Sequence, residues 1–234
     1  MVGDVDVAAT AALIGEPARA AVLLALMEGE ALPASELASR AGIAPSTASV
    51  HLAKLRTGGL VSAERRGRQR YFQIADPAVA AALEALSVIA PARPVRSLRE
   101  ASASHAIRDA RTCYDHLAGR LGVELAAALE RSGVLVYGAT NYLLGPDAEQ
   151  LLNGFGIDVA KLARLRRPLV RPCLDWSERR RHVAGALGAA LADRLFELDW
   201  LRRRQRNRSV EITAAGRTLL AAEFGIEMPP VGRG

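Results

Sequence analysis

A mainly α-helical fold interrupted by small β-wings is predicted from three observations. Apolar residues recur at helical spacing through most of the chain. Short basic stretches with glycine turns break that spacing at intervals. One segment of the C-terminal half is written twice, in slightly different words. The 234 residues suffice for two domains of ordinary size. Half of them are apolar and few are aromatic, so the core is expected to be built mostly from Ala, Leu and Val.

The most informative stretch is 35–74. Leu37 and Ala41 mark one helix; Ala48, Leu52 and Leu55 mark a second. Gly42 stands where the first helix must stop, and Pro45 suits the first turn of the next, where a missing N–H costs nothing. The outward face of the second helix offers Ser46, Thr47, Ser49, His51 and Lys54, short hydrogen-bonding groups and a cation suited to base edges and phosphates. Gly58 and Gly59 end it. Leu60-Val61 then opens a strand whose return partner is Tyr71-Phe72-Gln73-Ile74, and the turn between them carries Arg65, Arg66, Arg68 and Arg70. A polar helix beside a basic hairpin is a winged helix-turn-helix, and its wing arginines are placed to bind phosphate or enter a minor groove.

This stretch resembles the ArsR/SmtB group of bacterial repressors. The residues that carry the resemblance are Glu36-Leu37-Ala38, Gly42-Ile43, Ser46-Thr47-Ala48-Ser49, His51-Leu52, Lys54-Leu55, Gly59-Leu60-Val61, Arg65-Arg66-Gly67-Arg68 and Tyr71, with Ile14 to Arg19 upstream. The resemblance covers roughly residues 10–86. It implies a homodimer on operator double-stranded DNA, with helices flanking the winged core at the dimer interface; Val79, Leu83, Leu86 and Ile89 suit either that role or closure of the domain's own core. Two departures stand out. Ala44 occupies the helix N-cap, and the helix around Glu36–Arg40 lacks the paired cysteines of metal-sensing relatives, so that metal site is not available here.

The expected organisation is a DNA-binding domain over 1–90, a linker over 91–97 and a C-terminal effector or dimerisation module over 98–234. Residues 1–8 are read as a frayed start, and Gly15-Glu16-Pro17 splits Ala8–Glu28 into two short helices. Pro91 and Pro94 mark the linker. A helix is predicted from Ser97 or Leu98 through Arg120. Within the module, His116-Leu-Ala-Gly-Arg-Leu-Gly returns as His182-Val-Ala-Gly-Ala-Leu-Gly, and Phe155-Gly156-Ile157 returns as Phe224-Gly225-Ile226. Two tandem winged-helix-like repeats, about 107–157 and 173–226, are therefore expected.

A net charge of +6 favours a polyanionic partner. Nearly all the cations are arginine. The run Arg202–Arg208 falls at the wing position of the second repeat and reads as a solvated loop before a DNA contact; Arg164–Arg171 reads as a surface face. Two cysteines are too few for a disulfide framework, no apolar run is long enough to span a membrane, and no signal peptide opens the chain, so a cytoplasmic protein with reduced thiols is expected.

Asp175-Trp176-Ser177-Glu178 fits a helix capping box. Cys113 and His116 share one face of the helix predicted through Arg120, while Cys173 sits just before a second helix and His182 lies two turns into it, His116 and His182 being equivalent by repeat. The four are a tentative effector or metal set, with Trp176 and Tyr114 nearby and His105 and Asp109 as further ligands. No Cys-x-x-Cys pair is present, so the preferred reading makes both cysteines small buried hydrophobes and both histidines packing or capping residues. The sensing alternatives are a zinc-like ion, a redox switch on the two thiols, or an apolar small molecule. The cofactor is thus left open. No phosphate loop, nucleophile elbow or acid pair points to an enzyme. The function expected is an effector-responsive repressor. The rival is a constitutive DNA-binding protein whose C-terminal module recruits a protein partner.

Overall fold

The computed structural model describes residues 4–91, 94–95, 97–204 and 207–229. Ala92, Arg93 and Arg96 of the expected linker, and Gln205-Arg206 of the second basic turn, lie outside the described residues. The chain divides into two compact units, Met1–Leu83 and Glu84–Gly234.

The first unit opens with α1 (Val7–Ile14) and α2 (Pro17–Leu26), set at 85°. The bend follows from capping. Glu16 accepts from the backbone N–H groups of Ala18 and Arg19, and Pro17 takes the first helical position. Arg19 reaches back to the carbonyls of Ala12 and Leu13 and closes the end of α1. Next come β1 (Leu32–Pro33), α3 (Ala34–Ala41) and α4 (Pro45–Thr57). Gly42 ends α3 in the left-handed region at φ +66°, where a side chain would be strained. Ala44 gives α4 no side-chain cap, as its sequence implies.

The wing is β2 (Val61–Arg66) and β3 (Gln69–Ile74), antiparallel, with Val61 opposite Ile74 and Arg66 opposite Gln69. β1 joins on the other side of β3, giving the order β1-β3-β2. That two-residue strand was not expected from the sequence, being too short to show any alternation. Leu23, Leu37, Leu52 and Leu55 are fully buried beneath the helices and the sheet. α5 (Pro77–Ile89) follows.

The expected boundary at 91–97 is preceded by an earlier one inside α5. Glu84 begins the second unit because its carboxylate is buried there, accepting from Arg208 at 2.6 Å. The second unit then runs α6 (Leu98–Asp109), β4 (Arg111–Cys113), β5 (His116–Ala118), α7 (Gly119–Arg131), β6 (Leu135–Tyr137), β7 (Tyr142–Leu144), α8 (Ala148–Gly154) and α9 (Val159–Ala163). It continues with β8 (Arg171–Leu174), β9 (Arg181–Ala184), α10 (Gly185–Glu197), β10 (Leu201–Arg203), β11 (Val210–Ile212) and α11 (Ala214–Phe224). Each half thus presents a hairpin, a helix, a second hairpin and a closing helix. One apolar core runs through both halves, with Leu121, Leu135, Leu187, Leu191 and Leu195 at its centre.

Two helical expectations fail here. The helix expected to reach Arg120 stops at Asp109, and β4 and β5 take its place around a turn at Tyr114-Asp115, with Tyr114 at φ +62°. The capping box at Asp175 opens no helix. Asp175 does accept from the N–H groups of Ser177 and Glu178, but the chain proceeds into the β8–β9 hairpin. The same side-chain-to-backbone bonds serve a turn as readily as a helix start. Cys113 and Cys173 therefore lie on strands, and so do His116 and His182.

The two halves interlock: α7 packs on β9 and α10 packs on β5. Two equivalent glycines permit it. A Cβ on Gly122 would stand 2.5 Å from the Leu117 carbonyl oxygen and 3.5 Å from the Cβ of His182. One on Gly188 would stand 2.4 Å from the Val183 oxygen and 3.2 Å from the Cβ of His116. In an open helix Gly→Ala stabilises by about 1 kcal/mol. Here overpacking against backbone reverses the sign, so Gly122→Ala and Gly188→Ala are each expected to destabilise by about 1–3 kcal/mol in urea unfolding. A gain in stability would contradict the close approach.

Candidate nucleic-acid interface and metal centre

The outer face of α4 and the wing are exposed on the first unit. Ser46, Thr47, Ser49 and Lys54 are exposed on α4, with the Ser49 hydroxyl donating to the Pro45 carbonyl at 3.0 Å. His51 departs from expectation. Its side chain is only 14% exposed and turns toward α2, with Nδ1 3.6 Å from Glu16 Oε2. Val50 and Arg56, which the sequence reading passed over, are exposed on the same helix. Arg56 lines a surface groove with Ser49, Ala53 and Arg70, between α4 and the wing. A spacing of seven residues, about two helical turns, from Ser49 already points to Arg56. Arg65, Arg66, Arg68 and Arg70 are all exposed. Arg66 is oriented by Glu64 at 3.1 Å and lies over the Tyr71 ring at 5.2 Å.

The second unit holds a buried cluster. Cys113 pairs with His116 across β4–β5, and Cys173 pairs with His182 across β8–β9. The two hairpins bring all four ligand atoms within 4.8 Å of one another. The sulfurs are 3.9 Å apart and the two Nε2 atoms 3.2 Å apart. Each hairpin also supplies a carboxylate two residues beyond its cysteine. Asp115 Oδ1 lies 3.1 Å from His116 Nδ1, and Asp175 Oδ2 lies 3.6 Å from His182 Nδ1.

Those carboxylates are themselves anchored. Arg167 donates to Asp115 at 2.6 Å; Arg111 donates to Asp175 at 2.8 Å and the Gly119 N–H at 2.7 Å. Burial opposes the ionised form of both carboxyls, yet these partners hold both below the usual carboxylate range. Burial pushes the Cys113 thiol up, while the hydrogen bond from Cys113 and the neighbouring imidazoles pull Cys173 down. Burial pulls the His116 imidazole down, but bonding to Asp115 and Cys173 outweighs it and raises the basicity.

Among the described residues, none of the others expected near this set joins the four-ligand cluster. Trp176 is half-buried under the guanidinium of Arg111, 4.7 Å from its ring centre. His105 and Asp109 line a separate cavity with Arg204 and Arg217. The second basic run is largely engaged in the unit: Arg202 pairs with Asp199 at 2.6 Å, Arg203 lies over Phe196 and Arg208 meets Glu84.

A polar recognition helix beside an exposed basic wing defines a winged helix-turn-helix DNA-binding protein. Residues 14–62 match the family model described as a helix-turn-helix domain. The HTH-type transcriptional regulator YdfF of Bacillus subtilis, itself described as uncharacterized, is 40% identical over 223 residues, covering 95% of this chain and 99% of that protein. The HTH-type transcriptional regulator CmtR of Mycobacterium tuberculosis is 40% identical over 70 residues, 30% of this chain and 58% of that one. Among solved structures, the transcriptional repressor BigR of Xylella fastidiosa aligns with a TM-score of 0.35 at 29% identity, over 37% of this chain and 88% of that one. The chain belongs to the HTH-type transcriptional regulators, with an N-terminal helix-turn-helix domain. It is a DNA-binding transcriptional regulator.

Proposed function

We propose that this protein is an effector-responsive repressor that binds a near-palindromic operator as a cytoplasmic homodimer. The observation that carries the reading is the joint exposure of the α4 face and the four wing arginines on one unit. Ser46, Thr47, Ser49 and Lys54 supply base and phosphate contacts, Val50 an apolar surface for a thymine methyl, and Arg56 and the wing the phosphate grip. His51 acts from behind, setting α4 against α2. A single winged helix covers one half-site, so two are needed for a palindrome about one helical turn or a multiple apart. Exposed apolar side chains at Val5, Val7, Leu86 and Ile89 are the surfaces available for that pairing.

The second unit is read as two winged-helix-like repeats that receive the effector. A cavity of about 340 Å³, lined by Leu129, Val134, Leu152, Phe155, Leu191 and Phe224, supports an apolar small molecule in that role. The test is footprinting with selected DNA, run beside sedimentation. A symmetric footprint with a dimer is expected, and Ser49→Ala or Val50→Ala is expected to relax base preference by about 1–3 kcal/mol per lost contact. One short asymmetric site bound by a monomer would rule the reading out.

A further inference from the structure

We propose that Cys113, His116, Cys173 and His182 form a closed tetrahedral site for one zinc ion per chain, joining the β4–β5 and β8–β9 hairpins of the second unit. The proposal does not rest on the operator-binding reading.

The spacing fits the ion. With Zn–S near 2.3 Å and Zn–N near 2.0–2.1 Å, a regular tetrahedron has an S···S edge of about 3.8 Å and an N···N edge of about 3.3 Å. The corresponding separations are 3.9 Å and 3.2 Å. The remaining pairs lie within 4.8 Å, so loading draws them in by at most about 1.3 Å.

The imidazoles present their ring nitrogens to one point. Asp115 accepts from His116 Nδ1, which fixes the hydrogen there and leaves a lone pair on Nε2 for a metal. His182 Nδ1 has no hydrogen-bond partner among the described residues, and its Nε2 faces that of His116 at 3.2 Å. The sulfur separation of 3.9 Å is far from the roughly 2.05 Å of an S–S bond.

The surroundings match a structural site. His182 is 0% exposed, Cys113 1% and His116 2%, so bulk water does not supply their partners. Two thiolates balance the charge of a divalent ion, and two imidazoles complete the shell. Loading forms two Zn–S and two Zn–N bonds and releases the thiol protons to solvent. With four protein ligands no coordination position stays open, which suits a staple and not a catalyst. Mixed sulfur and nitrogen donors in this geometry favour zinc over oxygen-seeking cations. Asp115 acts as a positioning residue, orienting the His116 imidazole through its hydrogen bond to Nδ1.

The full chain purified without chelator is measured by elemental analysis. About one zinc per chain is expected, falling below a tenth in Cys113→Ser/Cys173→Ser and in His182→Ala, and retained in Cys173→His, which keeps a ligand. A second measurement needs no variant. Metal-stripped wild type titrated with cobalt(II) should show the intense visible bands of a tetrahedral site and thiolate-to-cobalt charge transfer in the near ultraviolet. Wild type that carries less than a tenth of an equivalent of transition metal, and gives only the weak spectrum of octahedral cobalt, would overturn the proposal. So would a Cys113–Cys173 disulfide found in protein prepared under argon.

Discussion

Replacing Arg65, Arg66, Arg68 and Arg70 together by alanine is expected to abolish measurable DNA binding at physiological salt. Each arginine on a phosphate releases about 0.9 of a counterion, so four of them supply about 3–4 units of the slope of log K against log salt. The variant's slope should fall by that amount, and its affinity for every sequence should fall alike, because phosphate contacts carry no base information. Stability should hardly change. All four side chains are exposed, and the one ion pair in the group, Arg66 with Glu64, is at the surface, where such pairs contribute little. A melting curve like that of wild type therefore separates lost contacts from lost fold. Glu64→Gln is the complementary change: it frees Arg66 from its partner and should tighten binding modestly. If the quadruple variant keeps the wild-type slope, the wing does not touch DNA.

The first unit was legible because its signals are local. Gly42, Pro45 and the glycine pair at 58–59 punctuate two helices, and alternation with arginine marks the wing. What local spacing concealed there was direction. His51 shares the polar run of α4 but faces Glu16, while Val50 and Arg56 face out. A spacing of two helical turns from Ser49 selects Arg56 and not His51.

The second unit was legible in its ligands and not in its elements. Cys113, His116, Cys173 and His182 were grouped through the repeat that relates the two histidines, yet three of them were placed on helices and Cys173 just before one. The chain around them is alanine-rich, and neither Tyr114-Asp115 nor the turn after Asp175 carries the Asn-Gly or Asp-Gly signature of a tight hairpin. Tyr114 adopts a positive φ that its residue type disfavours, so its residue type does not announce the turn. The second hairpin also has the longer loop, so the cysteines and the histidines repeat at different intervals. Aligned with that insertion allowed, both copies read Arg-x-Cys-x-Asp, then His-x-Ala-Gly-x-Leu-Gly. That shared string carries the cysteine, the histidine and the carboxylate behind it.

Breaking the pair Arg111–Asp175 is expected to have the largest effect on stability of any single change in the second unit. Both side chains are 0% exposed, and Arg111 is the largest fully buried side chain among the described residues. A guanidinium in that position is tolerated because Asp175 accepts from it at 2.8 Å, Ser177 lies at 3.1 Å and the Trp176 ring covers its face. Asp175→Asn keeps a turn-forming oxygen for the N–H groups of Ser177 and Glu178 but leaves the buried cation uncompensated, which costs about 3–5 kcal/mol. Arg111→Met removes the cation and strands the carboxylate instead, at similar cost. The double variant Arg111→Met/Asp175→Asn removes both charges and should recover a large part of the loss, because the expense of each single change lies in the charge left behind. Urea unfolding of the four proteins closes the cycle. Additive single effects would mean that the two side chains are not coupled. Because Arg111→Met leaves His182 and its neighbouring carboxylate in place, its loss of stability should occur with the zinc content of the second unit retained.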